Sequence, residues 1–155
     1  MENKYPFRFC HLYISDRFKQ IIFVPFCKNE NGWYAEINDL IIDSWPCNFE
    51  ILQHNIETIL DRYSSVSLNS KVKWPSFENS KAKSQQSFNS DYILFRLETD
   101  LSRNYGSGEV ERIKVSATPT VLDENYSLVG VGHLFDTQVA QIVLDIFNAC
   151  LKIRN

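Results

Sequence analysis

The sequence predicts an α+β domain, an antiparallel or mixed sheet of about six strands with two helices packed on one face, in the order βββ-α-βββ-α. Three observations carry this. Short runs rich in aromatic and branched residues, divided by turn residues, fall into two blocks. Each block is followed by a segment whose apolar residues recur every three or four positions. Strands and helices do not alternate one for one, which argues against a doubly wound parallel sheet.

The length of 155 residues suits one domain, and 44% hydrophobic with 23% charged residues is a folded rather than a disordered balance. Eleven Phe, seven Tyr and three Trp favour pleated, half-buried surfaces.

The first block is a meander. Residues 7–14 form a strand and Ser15-Asp16-Arg17 supply a turn. Residues 20–26 follow as a nearly continuous apolar run in which Pro25 has no N–H to donate, so this strand is expected to end there or lie at an edge. Asn31-Gly32 is a strong hairpin signal, and residues 33–37 make the third strand, with 40–42 continuing it or forming a short extra one. A helix starts after Pro46 with Asn48 as cap. It carries Phe49, Leu52, Ile56, Ile59, Leu60 and Tyr63 at helical spacing and stops near Ser64-Ser65.

Residues 66–90 are weakly patterned, with Ser at 67, 70, 76, 80, 84 and 87, and read as a mobile surface loop. Strands over 91–97 and 109–117 come next, then 121–122 and 126–131 around an Asp123-Glu124-Asn125 turn. The last helix, with Asp136 as its expected cap, shows an unbroken stripe of Val139, Ile142, Val143, Ile146, Phe147, Cys150 and Leu151.

The net charge of −3 is unevenly spread. Residues 1–63 hold six basic and nine acidic side chains, residues 64–90 four and one, and residues 91–155 six and nine. The acidic excess therefore sits in the structured flanks and the basic excess in the middle segment. Lys71, Lys73, Lys81 and Lys83 are too thin an electrostatic footprint for a nucleic-acid partner. The N-terminal residues show no export-signal pattern and no stretch is apolar enough to span a bilayer, so a cytoplasmic protein with no membrane partner and reduced cysteines is expected.

No motif specifies catalysis. His11, His54 and His133 lie at no metal-ligand spacing, and Cys10, Cys27, Cys47 and Cys150 form no CxxC pair. There is no GxSxG. Gly106-Ser107-Gly108 and Gly130-Val131-Gly132 lack the context of a phosphate loop. No cofactor, metal or catalytic residue is assigned. What stands out is carboxylate clustered with aromatics. Glu36, Asp39 and Asp43 accompany Trp33, Tyr34 and Trp45, an arrangement suited to gripping a basic partner. Glu98 and Asp100, with Glu109 and Glu111 two apart on one strand face, make a second acidic patch.

With its acidic flanks and the aromatic-rich meander through NGWYAEINDL, the chain resembles the bacterial immunity proteins of contact-dependent growth-inhibition and related polymorphic toxin systems. The resemblance implies a cytoplasmic antitoxin, monomer or weak dimer. It would bind the toxin domain of its own strain, often a basic nuclease, and block its active site. The alternative reading is a small enzyme or ligand-binding domain whose site is assembled from dispersed residues around His133 and Cys27. A third is an adaptor acting through residues 66–90.

Overall fold

The computed structural model describes residues 6–28, 31–64, 74–101, 110–119, 126–134 and 136–154. Its elements are β1 (Phe9–Ser15), β2 (Gln20–Lys28), β3 (Tyr34–Glu36), β4 (Ile41–Ser44), α1 (Phe49–Asp61), α2 (Pro75–Glu78), α3 (Gln85–Asp91), β5 (Ile93–Thr99), β6 (Arg112–Ala117), β7 (Leu128–His133) and α4 (Gln138–Arg154). The class is α+β as expected. The described residues hold seven strands and four helices rather than six and two, because residues 41–44 form a strand of their own and residues 75–91 carry two short helices. No helix among them is long and apolar enough to cross a membrane.

The seven named strands pair antiparallel, in the order β3-β2-β1-β5-β6-β7 with β4 also paired to β2, and one isolated parallel bridge joins Cys27 to Ser64. β3 and β4 share the outer side of β2 end to end. β3 lies against Phe26–Lys28, and β4 against Gln20–Phe23. Pro25 sits opposite the break between them, and its carbonyl accepts the N–H of Ile37 at 2.8 Å. In an extended strand the N–H and C=O of one residue point the same way, so the donor that proline lacks would have faced that break. The strand therefore runs through Pro25 to Lys28 in the interior of the sheet, where an end or an edge was expected. Gly32, in the β2–β3 connection, takes a φ of +82°, a conformation open to glycine without strain.

Alternate residues of each strand face opposite sides. On one side, Cys10, Leu12, Ile14, Ile21, Phe23, Phe95, Leu97, Ile113 and Val115 meet the apolar stripes of α1 and α4. The Asn48 side chain caps α1 by accepting the N–H of Ile51 at 2.8 Å. Asp136 does not cap α4. Asp136 and Thr137 both take a φ of +57°, and the helix begins at Gln138. The buried Gln53 of α1 offers its side-chain oxygen to the N–H of Ala140 instead, at 3.1 Å. Gly130 and Gly132 on β7 let α4 approach closely, since an added Cβ would lie 2.7 and 2.6 Å from Ile142 side-chain atoms.

The opposite side has its own core of Phe9, Tyr13, Ile22, Val24, Phe26, Phe88 and Tyr92, joined by Trp74 and Phe77. Its cover is the stretch 74–92, expected as loop up to residue 90 and as the start of a strand from 91. Ser84 caps α3 through Ser87 N–H, and Phe88 stacks its faces and edges among Tyr13, Trp74, Phe77 and Tyr92 at 4.9–5.7 Å. Residues 66–73 of the expected loop, and the predicted 121–122 strand with its 123–125 turn, lie outside the described residues.

Candidate functional site

The expected acidic and aromatic residues separate once the chain is folded. Trp33 and Tyr34 are exposed, at 72% and 44%, at and just before the short edge strand β3. Tyr34 stands edge-on to Phe9 with ring centroids 4.8 Å apart, and Tyr63, just past α1, packs on the same ring at 5.7 Å. The end of α1 and the edge of the sheet therefore meet around Phe9. Asp39 is exposed beside them. Its backbone carbonyl accepts Arg62 Nη1 at 2.8 Å, and its carboxylate lies 3.5 Å from Arg62 Nε. Asp61, whose side chain is 73% exposed, completes this end.

Glu36 turns inward. Its carboxylate accepts the Tyr13 hydroxyl at 3.1 Å and both the N–H and the hydroxyl of Ser76 at 2.8 Å, so it fastens β3 to the start of α2. Burial, reinforced by Glu36, raises the Tyr13 phenol above its ordinary range. Trp45 is a correction to the predicted surface. It is 4% exposed and packs edge-on against Phe147 at 5.0 Å, because the β4–α1 turn folds it under the helices rather than outward. Asp43 of β4 is partly buried and accepts the N–H of Ser44 at 2.8 Å. It lies near the Cys47 thiol, which burial first and Asp43 second push up to about 11, away from the thiolate a nucleophile requires.

The second patch is also not a solvent-facing surface. Asp100 and Glu111 are 6% and 5% exposed. Glu111 takes both oxygens to the fork of Arg8 and accepts the Thr99 hydroxyl at 3.2 Å, while Arg8 reaches Asp61 with its remaining arm. Burial alone would lower the Arg8 pKa, but Glu111 and Asp61 hold it above its ordinary value. This buried pair ties the start of β1 to β6, a structural role. Glu98 is partly buried and lies 3.3 Å from Arg96, and Glu109 is outside the described residues. Cys27 and His133 do not converge either. Cys27 is buried on β2, and His133 ends β7, four strands across the sheet. At about 4.8 Å per strand they are ~19 Å apart. Among the described residues no three His, Cys, Asp or Glu side chains are grouped to hold a metal.

No family model and no curated protein matches this sequence. Among solved structures, the chain is similar to a protein of unknown function from Neisseria meningitidis. The two superpose with a TM-score of 0.54 at 9% identity, over 86% of this chain and 88% of that one. The likeness is one of fold.

The stretch 31–64 is an acidic unit that the sequence pattern only half revealed. Residues 31–64, spanning β3, β4 and α1, hold six carboxylates (Glu36, Asp39, Asp43, Glu50, Glu57 and Asp61) and one lysine or arginine, Arg62. On α1, Glu50, His54, Glu57, Thr58 and Asp61 form the stripe opposite the buried Leu52, Ile56, Ile59 and Leu60. Glu50, Glu57 and Asp61 were missed, although the complement of the apolar stripe would have found them. Beside the α1 end lies an open cleft of about 300 Å³ lined by Pro6, Phe7, Arg8, Leu60, Asp61 and Tyr63.

Proposed function

We propose that this protein is an immunity protein that binds and neutralises a basic toxin domain, using the end of the molecule where Trp33, Tyr34, Tyr63, Asp39 and Asp61 converge. The observation that carries this reading is the outward set of Asp39, Glu50, Glu57 and Asp61. Among the described residues only Asp39 and Asp61 of these are paired, with Arg62 and Arg8, and the exposed rings of Trp33 and Tyr34 lie beside the Asp39 and Asp61 end. Such a surface attracts a cationic partner over long range and offers rigid ring anchors at contact. Nuclease domains are basic where they hold phosphates, so an acidic inhibitor seated on that region would exclude the substrate. The cleft between Phe7 and Tyr63 supplies a concave seat beside Asp61 for a partner's side chain.

The test is functional. Where the gene immediately upstream encodes a large secreted protein, the C-terminal domain of that protein is expressed with and without this chain, and growth is followed. Restored growth, together with a stoichiometric complex of the purified proteins, is the expected result. Asp39→Lys combined with Glu57→Lys is expected to slow association at least ~10-fold at low salt while the melting temperature holds. Continued toxicity with this chain in excess, or an unchanged association rate, refutes the reading.

A further inference from the structure

We propose that β7 is a pairing edge through which two copies of this chain join their sheets. The backbone accounting leads there. Leu134 N–H donates to the carbonyl of Glu111 at 3.0 Å, which sets the parity of the β6–β7 ladder. Successive residues of a strand direct their N–H and C=O to alternate sides, so Leu128, Gly130 and Gly132 bond to β6. Val129, Val131 and His133 aim theirs outward. The outward N–H of His133 is taken by the side-chain oxygen of Gln138. Val129 and Val131 are left, and among the described residues nothing pairs with them.

Those two residues are self-complementary. Antiparallel pairing about a two-fold axis at Gly130 sets Val129 opposite Val131 of the second copy, and Val131 opposite its Val129. Each of these is a hydrogen-bonded pair, so four backbone bonds form and every outward donor and acceptor of the two valines is used. The side chains of Val129 and Val131, 53% and 41% exposed, then meet as two directly opposed β-branched pairs on the open face. Ser116 lies behind Val129 and Lys114 behind Val131 in the β6 register, so no charged side chain confronts another across the seam.

The contrast with the other edge favours this use. Unprotected edges invite pairing, and proteins blunt them with charge, proline or short strands. The far edge is divided into β3 and β4, of three and four residues, with Glu36 and Asp43 on them. β7 is an undivided six-residue strand, Leu-Val-Gly-Val-Gly-His, without proline or any Asp, Glu, Lys or Arg. Its inner face is sealed by α4 through Gly130 and Gly132, so the outward residues can change without disturbing the core.

Sedimentation of the purified chain between ~10 μM and ~1 mM tests this, with amide exchange followed across the same range. The expected result is a concentration-dependent dimer in which the amides of Val129 and Val131 slow with concentration. Val131→Pro deletes an outward N–H that the β6 ladder does not use, and Val129→Lys puts a charge on the edge. Each should raise the dimer dissociation constant at least ~10-fold with the circular dichroism unchanged, and Val129→Lys suffices if the proline variant misfolds. A wild-type chain that stays monomeric overturns the proposal, as does a dimer that both folded variants leave intact. Protection of these amides only on adding the toxin domain also overturns it, making β7 the seat of a foreign strand. Asp39→Lys with Glu57→Lys should leave the dimer unchanged, which separates this edge from the toxin-binding surface.

Discussion

Gln53, buried on α1, accepts the backbone N–H of Ala140, the third residue of α4, at 3.1 Å. The helix thus receives from another helix the cap that its own flanking residues, at positive φ, do not supply. Gln53→Leu keeps the volume and removes the acceptor. It is expected to cost about 1–2 kcal/mol in urea unfolding with an unchanged m-value. Equal stability of the two proteins would mean that the contact only offsets the burial of Gln53 Nε2, a donor without a hydrogen-bond partner.

The two flanking tryptophans should behave oppositely. Trp45→Ala opens a cavity against Phe147 and is expected to cost about 3–5 kcal/mol. Trp33→Ala, at an exposed position, should stay within about 0.5 kcal/mol of wild type and, on the proposed function, weaken binding of a toxin domain. Thermal unfolding and calorimetric titration of the same two variants read both effects.

His11 sets an acid limit. Its Nδ1 is buried without a hydrogen-bond partner, and burial, with Arg96 acting in the same direction, lowers the ring's pKa to about 3. The unfolded chain takes the proton near pH 6.5, so the folded state binds it less readily. The stability this contributes is complete above about pH 6.5 and is lost as the pH falls towards 3. Between pH 7 and pH 4.5 the loss is about 2–3 kcal/mol. His11→Phe should remove that share of the slope, and parallel pH profiles for the two proteins would contradict it.

Gly130→Ala should cost about 1–3 kcal/mol, since its Cβ would fall 2.7 Å from Ile142 Cγ2. Adding Ile142→Ala opens the space that Cβ needs. A double-mutant cycle is expected to show favourable coupling of at least about 0.5 kcal/mol, and strict additivity would place the strain elsewhere.

The helices and most strands were legible because their apolar spacing follows the burial it produces. The second core was missed for a compositional reason. The serines and lysines around Trp74, Phe77 and Phe88 dilute the signal of a segment whose few large rings do the packing. A clue lay elsewhere. β2 is apolar on both faces, from Ile21 through Phe26, which requires cover on both sides. The surface was harder to read. Whether Glu111 is a solvent-facing carboxylate depends on Arg8, 103 positions away, and the fate of Glu36 depends on Ser76, 40 positions away. Only α1 presents its carboxylates by local periodicity alone.

A three-residue edge strand held only by its ladder would fray, and groups displayed on it would have to be ordered whenever a partner arrived. Glu36 prevents this. With three hydrogen bonds to Tyr13 and Ser76, its carboxylate pins the last residue of β3 to the second core, while Tyr34 at the other end rests on Phe9. The side chain that drops out of the proposed contact surface therefore lowers the entropy cost of using that surface. The neighbouring rings are held in place before any encounter, so more of their contact energy remains for slow dissociation.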